Sequence, residues 1–180
     1  MIAIRTILLA TSALAALPAI AIDTPQSGIF STPATVFNGN TNPPVQTISP
    51  DNNEISFIFQ GLRIEQQGNG QRRGDTTHIA LHVPLTIDKP TRIRAELRGA
   101  IVAEKGAKCR ISIDSPKGWE VLTATQAPQA YLRTSIPVSA SDGDLKLLIS
   151  LRCTGRPLTR PVFIAEVDSL DLSLESRKSK

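Results

Sequence analysis

The chain has 180 residues, of which 41% are hydrophobic, 20% charged and 4% aromatic, and its formal net charge is +4. That composition excludes a collagen-like repeat, a wholly disordered chain and a multi-span membrane protein. Thirteen prolines and eleven glycines argue against a helical bundle, and the length fits one domain with one core.

Residues 1–21 read MIAIRTILLATSALAALPAIA. Arg5 supplies a positive n-region, and Ile7 to Leu17 is an apolar stretch. Pro18 breaks it, and Ala19-Ile20-Ala21 is a small-x-small cleavage site. This is the layout of a secretory signal peptide. The apolar run falls short of the roughly 20 residues that a bilayer span needs. The expected mature chain starts near Ile22, has no membrane span and is periplasmic or extracellular. Loss of Arg5 leaves 19 Lys+Arg against 16 Asp+Glu, a net charge of +3. That is too weakly basic for a nucleic-acid partner.

Residues 22–53 form a Pro/Asn-rich lead-in, with one short strand expected at Ala34 to Phe37. Residues 54–175 alternate as strands do. Ile55, Phe57 and Phe59 share a face. Gly61 interrupts, and Leu62 and Ile64 continue in the opposite phase, which predicts a bulge. The Gly-rich turn QGNGQRRGD follows. Its Arg73-Gly74-Asp75 spells an integrin-recognition tripeptide but reads as ordinary turn sequence. Ile79, Leu81 and Val83 form the next series. Ile93, Ala95 and Leu97 form another, with Arg92, Arg94, Glu96 and Arg98 on its other face. Cys109, Ile111 and Ile113 follow, then Leu132, Thr134 and Ile136. Leu145 to Cys153 is the longest unbroken series. Phe163, Ala165 and Val167 start the last one, whose phase shifts near Ser169 before Leu170, Leu172 and Leu174. Seven strands with one apolar and one polar face predict an all-β, antiparallel β-sandwich of jelly-roll type. The tail, residues 176–180, is polar.

The only cysteines, Cys109 and Cys153, both fall in the apolar phase of their strands. In an exported protein a disulfide is the default. The alternative is two separate buried thiols. Register raises a further question. If residues 104–107 closed a hairpin, inward Ala103 would face outward Lys108. Either the loop has an odd length, or a bulge at Gly99 to Ala100 turns Val102 inward opposite Cys109; the bulge is the preferred solution.

The runs HIALHVPLTIDKPTRIRAELRGAIV, GWEVLTATQAPQAYLRTSIPV and VFIAEVDSLDLSL resemble the galactose-binding-like jelly roll of carbohydrate-binding modules, over roughly residues 78–175. The resemblance implies a jelly-roll fold and a saccharide ligand held by exposed aromatics. The family often carries a structural calcium near its closing strand, where Glu166 and Asp168 could match, but two acids fall short of the 6 to 8 oxygens calcium takes, so no cofactor is expected. This chain offers Trp119 and Tyr131 as the aromatic candidates, with Trp119 in a loop after Ser-Pro-Lys-Gly. Arg92, Arg94 and Arg98, joined by Lys108 and Arg110 from the next strand, form a candidate basic strip for an anionic ligand. The bland alternatives are a solvated charged face for the arginines and a core position for Trp119.

No nucleophile motif is present, and the chain is not expected to be an enzyme. His78 and His82 lie four residues apart in a strand, about 13 Å, too far to share one ion, so no metal site is expected there. The reading is an exported, non-catalytic envelope protein that binds a glycan. The alternative is a structural or protein-interaction component docking on an envelope protein.

Overall fold

The computed structural model describes residues 28–31, 34–37, 42–66, 74–104, 106–139, 141–155 and 162–175. The expected signal peptide (1–21), the Gly-rich turn before Gly74 and the tail after Glu175 lie outside the described residues. Eleven strands form in chain order: β1 (Thr35–Phe37), β2 (Val45–Ile48), β3 (Glu54–Ile58), β4 (Arg63–Gln66), β5 (Gly74–Pro84), β6 (Thr91–Glu104), β7 (Lys108–Ser115), β8 (Gly118–Ala124), β9 (Gln126–Val138), β10 (Asp144–Thr154) and β11 (Val162–Leu174).

Two antiparallel sheets result. One has five strands in the order β1-β5-β10-β7-β8, and the other has six, in the order β2-β3-β11-β6-β9 with β4 also on β11. β3 and β4 run along one side of β11, so they act as the two halves of one broken edge strand. With these two counted as a single strand, β3/β4 through β11 are eight strands. They alternate between the sheets except at the β7–β8 hairpin, which is the jelly-roll winding. The expected β-sandwich is therefore present.

The odd-numbered apolar residues of β6 and the matching series on β3, β5, β7, β10 and β11 meet in one core. Phe57, Phe163, Ile79, Leu81, Ile101 and Ile149 are among its largest fully buried side chains. The alternation that marks each strand in the sequence thus becomes the inner surface of the sandwich. The lead-in contributes more than one short strand. Phe30 and Ala34 are buried in the core, β1 pairs with β5, and β2 pairs with β3.

The phase reversal at Gly61 is observed. Phe59 and Leu62 both face inward, and Gly61 has φ 93°. The chain needs a glycine there because a Cβ is strained in that left-handed region. Asp168 is the extra residue on the partner strand β11, and the Phe59 N–H donates to its carbonyl.

The expected bulge at Gly99 to Ala100 is not where β6 changes, because β6 does not change. Ile93, Ala95, Leu97, Gly99, Ile101 and Ala103 are inward without a break, and Val102 is exposed. The irregularities belong to the partners: β11 gains a residue at Asp168, and β9 gains one between Ala127 and Ala130. Nor does Gly99 adopt a positive φ. Its role is close approach, since a Cβ at Gly99 would lie 2.1 Å from the Glu166 carbonyl oxygen. The register conflict at 104–107 disappears because β6 and β7 are not a hairpin. They lie in opposite sheets, so Ala103 and Cys109 face the same core from two sides.

Cys109 and Cys153 are joined by a disulfide and fully buried. Disulfides of this kind belong to oxidising compartments. Among the described residues, no helix is long and apolar enough to cross a membrane.

Candidate functional site

Strand alternation and register lay out the outer face of the six-stranded sheet in rows. One row runs Val45, Ile58, Ser169, Arg98, Tyr131 across β2, β3, β11, β6 and β9. The next runs Thr47, Ser56, Asp171, Glu96, Arg133. The third runs Glu54, Ser173, Arg94, Ser135. Small serines on β3 and β11 lie between longer side chains on either side. The outcome is a depression of about 380 Å³ lined by Glu54, Ser56, Ser173, Arg94, Glu96, Arg98 and Asp171.

Most of the charge on this face is paired. Arg98 meets Asp171 at 3.4 Å, and Arg133 meets Glu96 at 3.2 Å. Arg92 meets Glu175 at 3.4 Å, and it donates to the Ser135 hydroxyl at 2.7 Å and to the Ser135 carbonyl at 3.1 Å. The Ser135 hydroxyl in turn donates to Glu175, and this bond, then the Arg92 charge, holds the Glu175 carboxyl below the usual carboxylate range. Arg94 takes part in no ion pair among the described residues and lines the depression. The expected basic strip is therefore a ladder of paired charges, in which Arg94 has no close ion pair among the described residues but adds its charge to that of Arg92 on Glu175.

Tyr131 stands on this face, 48% exposed and directly opposite Arg98. Its hydroxyl pKa is pushed up, first by partial loss of water around the ring, then by a hydrogen bond to Glu96 and that carboxylate's charge. Glu96 lies diagonally across from Tyr131, a distance that a long aromatic side chain spans.

Three of the expected site residues do not join this face. Arg110 and Lys108 lie on β7 in the other sheet, so they cannot extend the strip of Arg92, Arg94 and Arg98. Trp119 is not in a loop; it is the second residue of β8, opposite Asp114, at the edge of the five-stranded sheet. Tyr131 and Trp119 are thus in different sheets. Conversely, Glu54, Ser56, Asp171, Ser173 and Arg133 belong to the depression or its border, although the sequence reading did not single them out. Their outward phase was readable, but their neighbours were not.

His78 and His82 point outward from β5, and His82 lies 3.6 Å from Asp144. Gly74 and Asp75 are strand residues of β5, whereas Arg73 lies outside the described residues. The match of Glu166 and Asp168 to a calcium site does not extend to the surroundings. Glu166 already faces the Arg63 guanidinium at 3.4 Å, and among the described residues no three His, Cys, Asp or Glu side chains gather as a metal site. Calcium needs 6 to 8 oxygens.

No family model matches this chain. No curated protein matches it. Among solved structures it is similar to TmCBM61, a carbohydrate-binding module, whose structure is in complex with β-1,4-galactotriose. The two are 15% identical, the match covers 83% of this chain and 93% of that one, and the TM-score is 0.35.

Proposed function

We propose that this protein is an exported, non-catalytic carbohydrate-binding protein of the cell envelope. The depression on the six-stranded sheet carries this reading. It offers hydroxyls from Ser56 and Ser173, an acceptor from Glu54 and the Arg94 guanidinium, which has no close ion pair among the described residues, all on strands. A saccharide ring presents the complementary array of hydroxyl donors and acceptors. Tyr131, across from Arg98 at the edge of this region, supplies an exposed ring face for stacking on a sugar. Arg92 and Arg98 hold the site's borders through Glu175 and Asp171. Asp171 and Glu96 are opposite one another, as two catalytic carboxylates could be. Each is already engaged by an arginine, so we take them as part of the charge ladder rather than as an acid and a nucleophile.

A glycan array followed by calorimetry tests the reading. A saccharide should bind, and Arg94→Ala or Tyr131→Ala should weaken it about tenfold, which is about 1.4 kcal/mol. Trp119→Ala should leave it unchanged. Absence of any saccharide binding would remove the proposal.

A second reading, docking on an envelope protein, is favoured by one observation. Val45 and Ile58 are cross-strand neighbours, 47% and 50% exposed, beside the sheet edge at β2. Crosslinking and pull-down that recover a stable protein partner, lost in Ile58→Asp, would support it over sugar binding.

A further inference from the structure

The outer face of the five-stranded sheet carries a different arrangement. Arg110 of β7 stands directly opposite Arg152 of β10, and Lys108 follows two residues away on the same face of β7. All three are exposed. Among the described residues, none takes part in an ion pair. Like charges directly opposite on neighbouring strands are destabilising. On the other sheet the like-charged pair Asp171 and Glu96 is relieved, because each is engaged by an arginine, and Arg63, Arg92, Arg98 and Arg133 each have a carboxylate. The arginine pair on the five-stranded sheet has Thr76 on one side and Thr123 on the other, so hydroxyls rather than acids flank it. In sequence, the segments 67–73, 105–107 and 155–161 that adjoin these strand ends hold Arg72, Arg73, Lys105, Arg156 and Arg160 and no acid.

We propose that Lys108, Arg110 and Arg152 form a binding site for an acidic polysaccharide, a chain bearing carboxylate or sulfate groups at short intervals. Neighbouring strands are about 4.8 Å apart and alternate residues about 7 Å, so three cations present a compact row of charge. Each guanidinium fork takes two oxygens of one carboxylate or sulfate. The threonine hydroxyls beside the forks suit the uncharged hydroxyls of the same chain. A bilayer fits less well, because Leu148, the large apolar side chain exposed on this face among the residues whose side chains are described, lies four residues from Arg152 along β10. The residues in register with the three cations are Thr76, Thr123 and Thr154, which offer hydroxyls rather than rings for base stacking. This site is separate from the depression on the other sheet and does not depend on it.

The test measures binding of the purified protein to polygalacturonate and to heparin by calorimetry, at low and high salt. The double variant Arg110→Thr/Arg152→Thr is compared with the charge-matched Lys89→Thr/Lys146→Thr. The expected result is binding to at least one polymer, weakened tenfold or more by the arginine variant and less than twofold by the lysine variant. The arginine variant should melt at the same temperature or higher, because a repulsive pair is gone. The polymer bound tells carboxylate from sulfate recognition. Equal weakening in both variants means only net charge is sensed and overturns the proposal, as does binding to neither polymer. Preferential binding to phosphatidylglycerol vesicles or single-stranded DNA, lost in the arginine variant, overturns the assignment to a polysaccharide.

Discussion

Cys109 on β7 stands directly opposite Cys153 on β10, with their Cα atoms 4.0 Å apart, so the disulfide ties two adjacent strands of one sheet across its inner face. The residues are separated by 44 in sequence. Closing a loop of that length is worth about 4 kcal/mol in the chain-entropy model. Cys109→Ser/Cys153→Ser should therefore unfold at markedly lower denaturant than the parent protein. Thiol labelling of the denatured, unreduced protein should find no reactive cysteine. Two labelled thiols would falsify the bridge.

Gly99 faces the Glu166 backbone across the bulge of β11, where a Cβ would sit 2.1 Å from the carbonyl oxygen. Backbone cannot step aside as a flexible side chain can. Gly99→Ala should destabilise by about 3 kcal/mol, the upper end for forcing atoms into a packed site. A neutral chemical-denaturation profile would show that the two central strands of this sheet do not approach as closely as described.

Lys117, in the turn between β7 and β8, is ion-paired with Asp142 in the loop before β10, and this contact joins two loops at one end of the sandwich. The Lys117 hydrogen bond, then the Ser139 backbone N–H, hold the Asp142 carboxyl below its usual range. Glu175 is lowered as well, by the Ser135 hydroxyl and then by Arg92. For a carboxyl whose folded pKa is depressed, the stabilisation is present above the unfolded value, about 4, and is lost as pH falls through the folded value. Melting temperature should drop on acidification from about pH 5 to pH 3. Asp142→Asn/Glu175→Gln should be less stable at neutral pH and show a shallower drop. An identical slope in parent and variant argues against these two groups as the source.

Tyr131 is the only tyrosine, so its ionisation can be followed directly by ultraviolet absorbance. Its pKa is raised, first by desolvation and then by Glu96. A tyrosine raised in the fold stabilises it below the unfolded value, about 10, and that contribution disappears as pH rises through the folded value. Titration should give a midpoint above the free-tyrosine value, and Glu96→Gln should bring it down. An unshifted midpoint in the parent protein would contradict the raised value, and an unchanged midpoint in Glu96→Gln would remove Glu96 as a cause.

Much of the fold was legible because alternation is a local property. Ile79-Leu81-Val83 and Leu145 to Cys153 each name their buried face without reference to any other strand, and the reversal at Gly61 was visible as a change of phase. Weaker series escaped. β8 carries Glu120 in its inward phase at a sheet edge, and β2 is only four residues long. The direct pairing of Leu132, Thr134 and Ile136 with β6 was equally unreadable, since nothing local states which strand lies beside which.

Residue order by itself determined the two-faced strands, the inward cysteines and the outward phase of Arg92, Arg94, Arg98 and Arg110, because period-two alternation is written in the chain. Only the tertiary structure decided that Arg110 leaves Arg94 for Arg152, that Trp119 and Tyr131 lie in different sheets, and that Glu54 and Ser173 share a depression with Arg94. Sheet membership is set by which long-range pairings bury the most apolar surface together. That choice belongs to the whole sandwich and to no single segment.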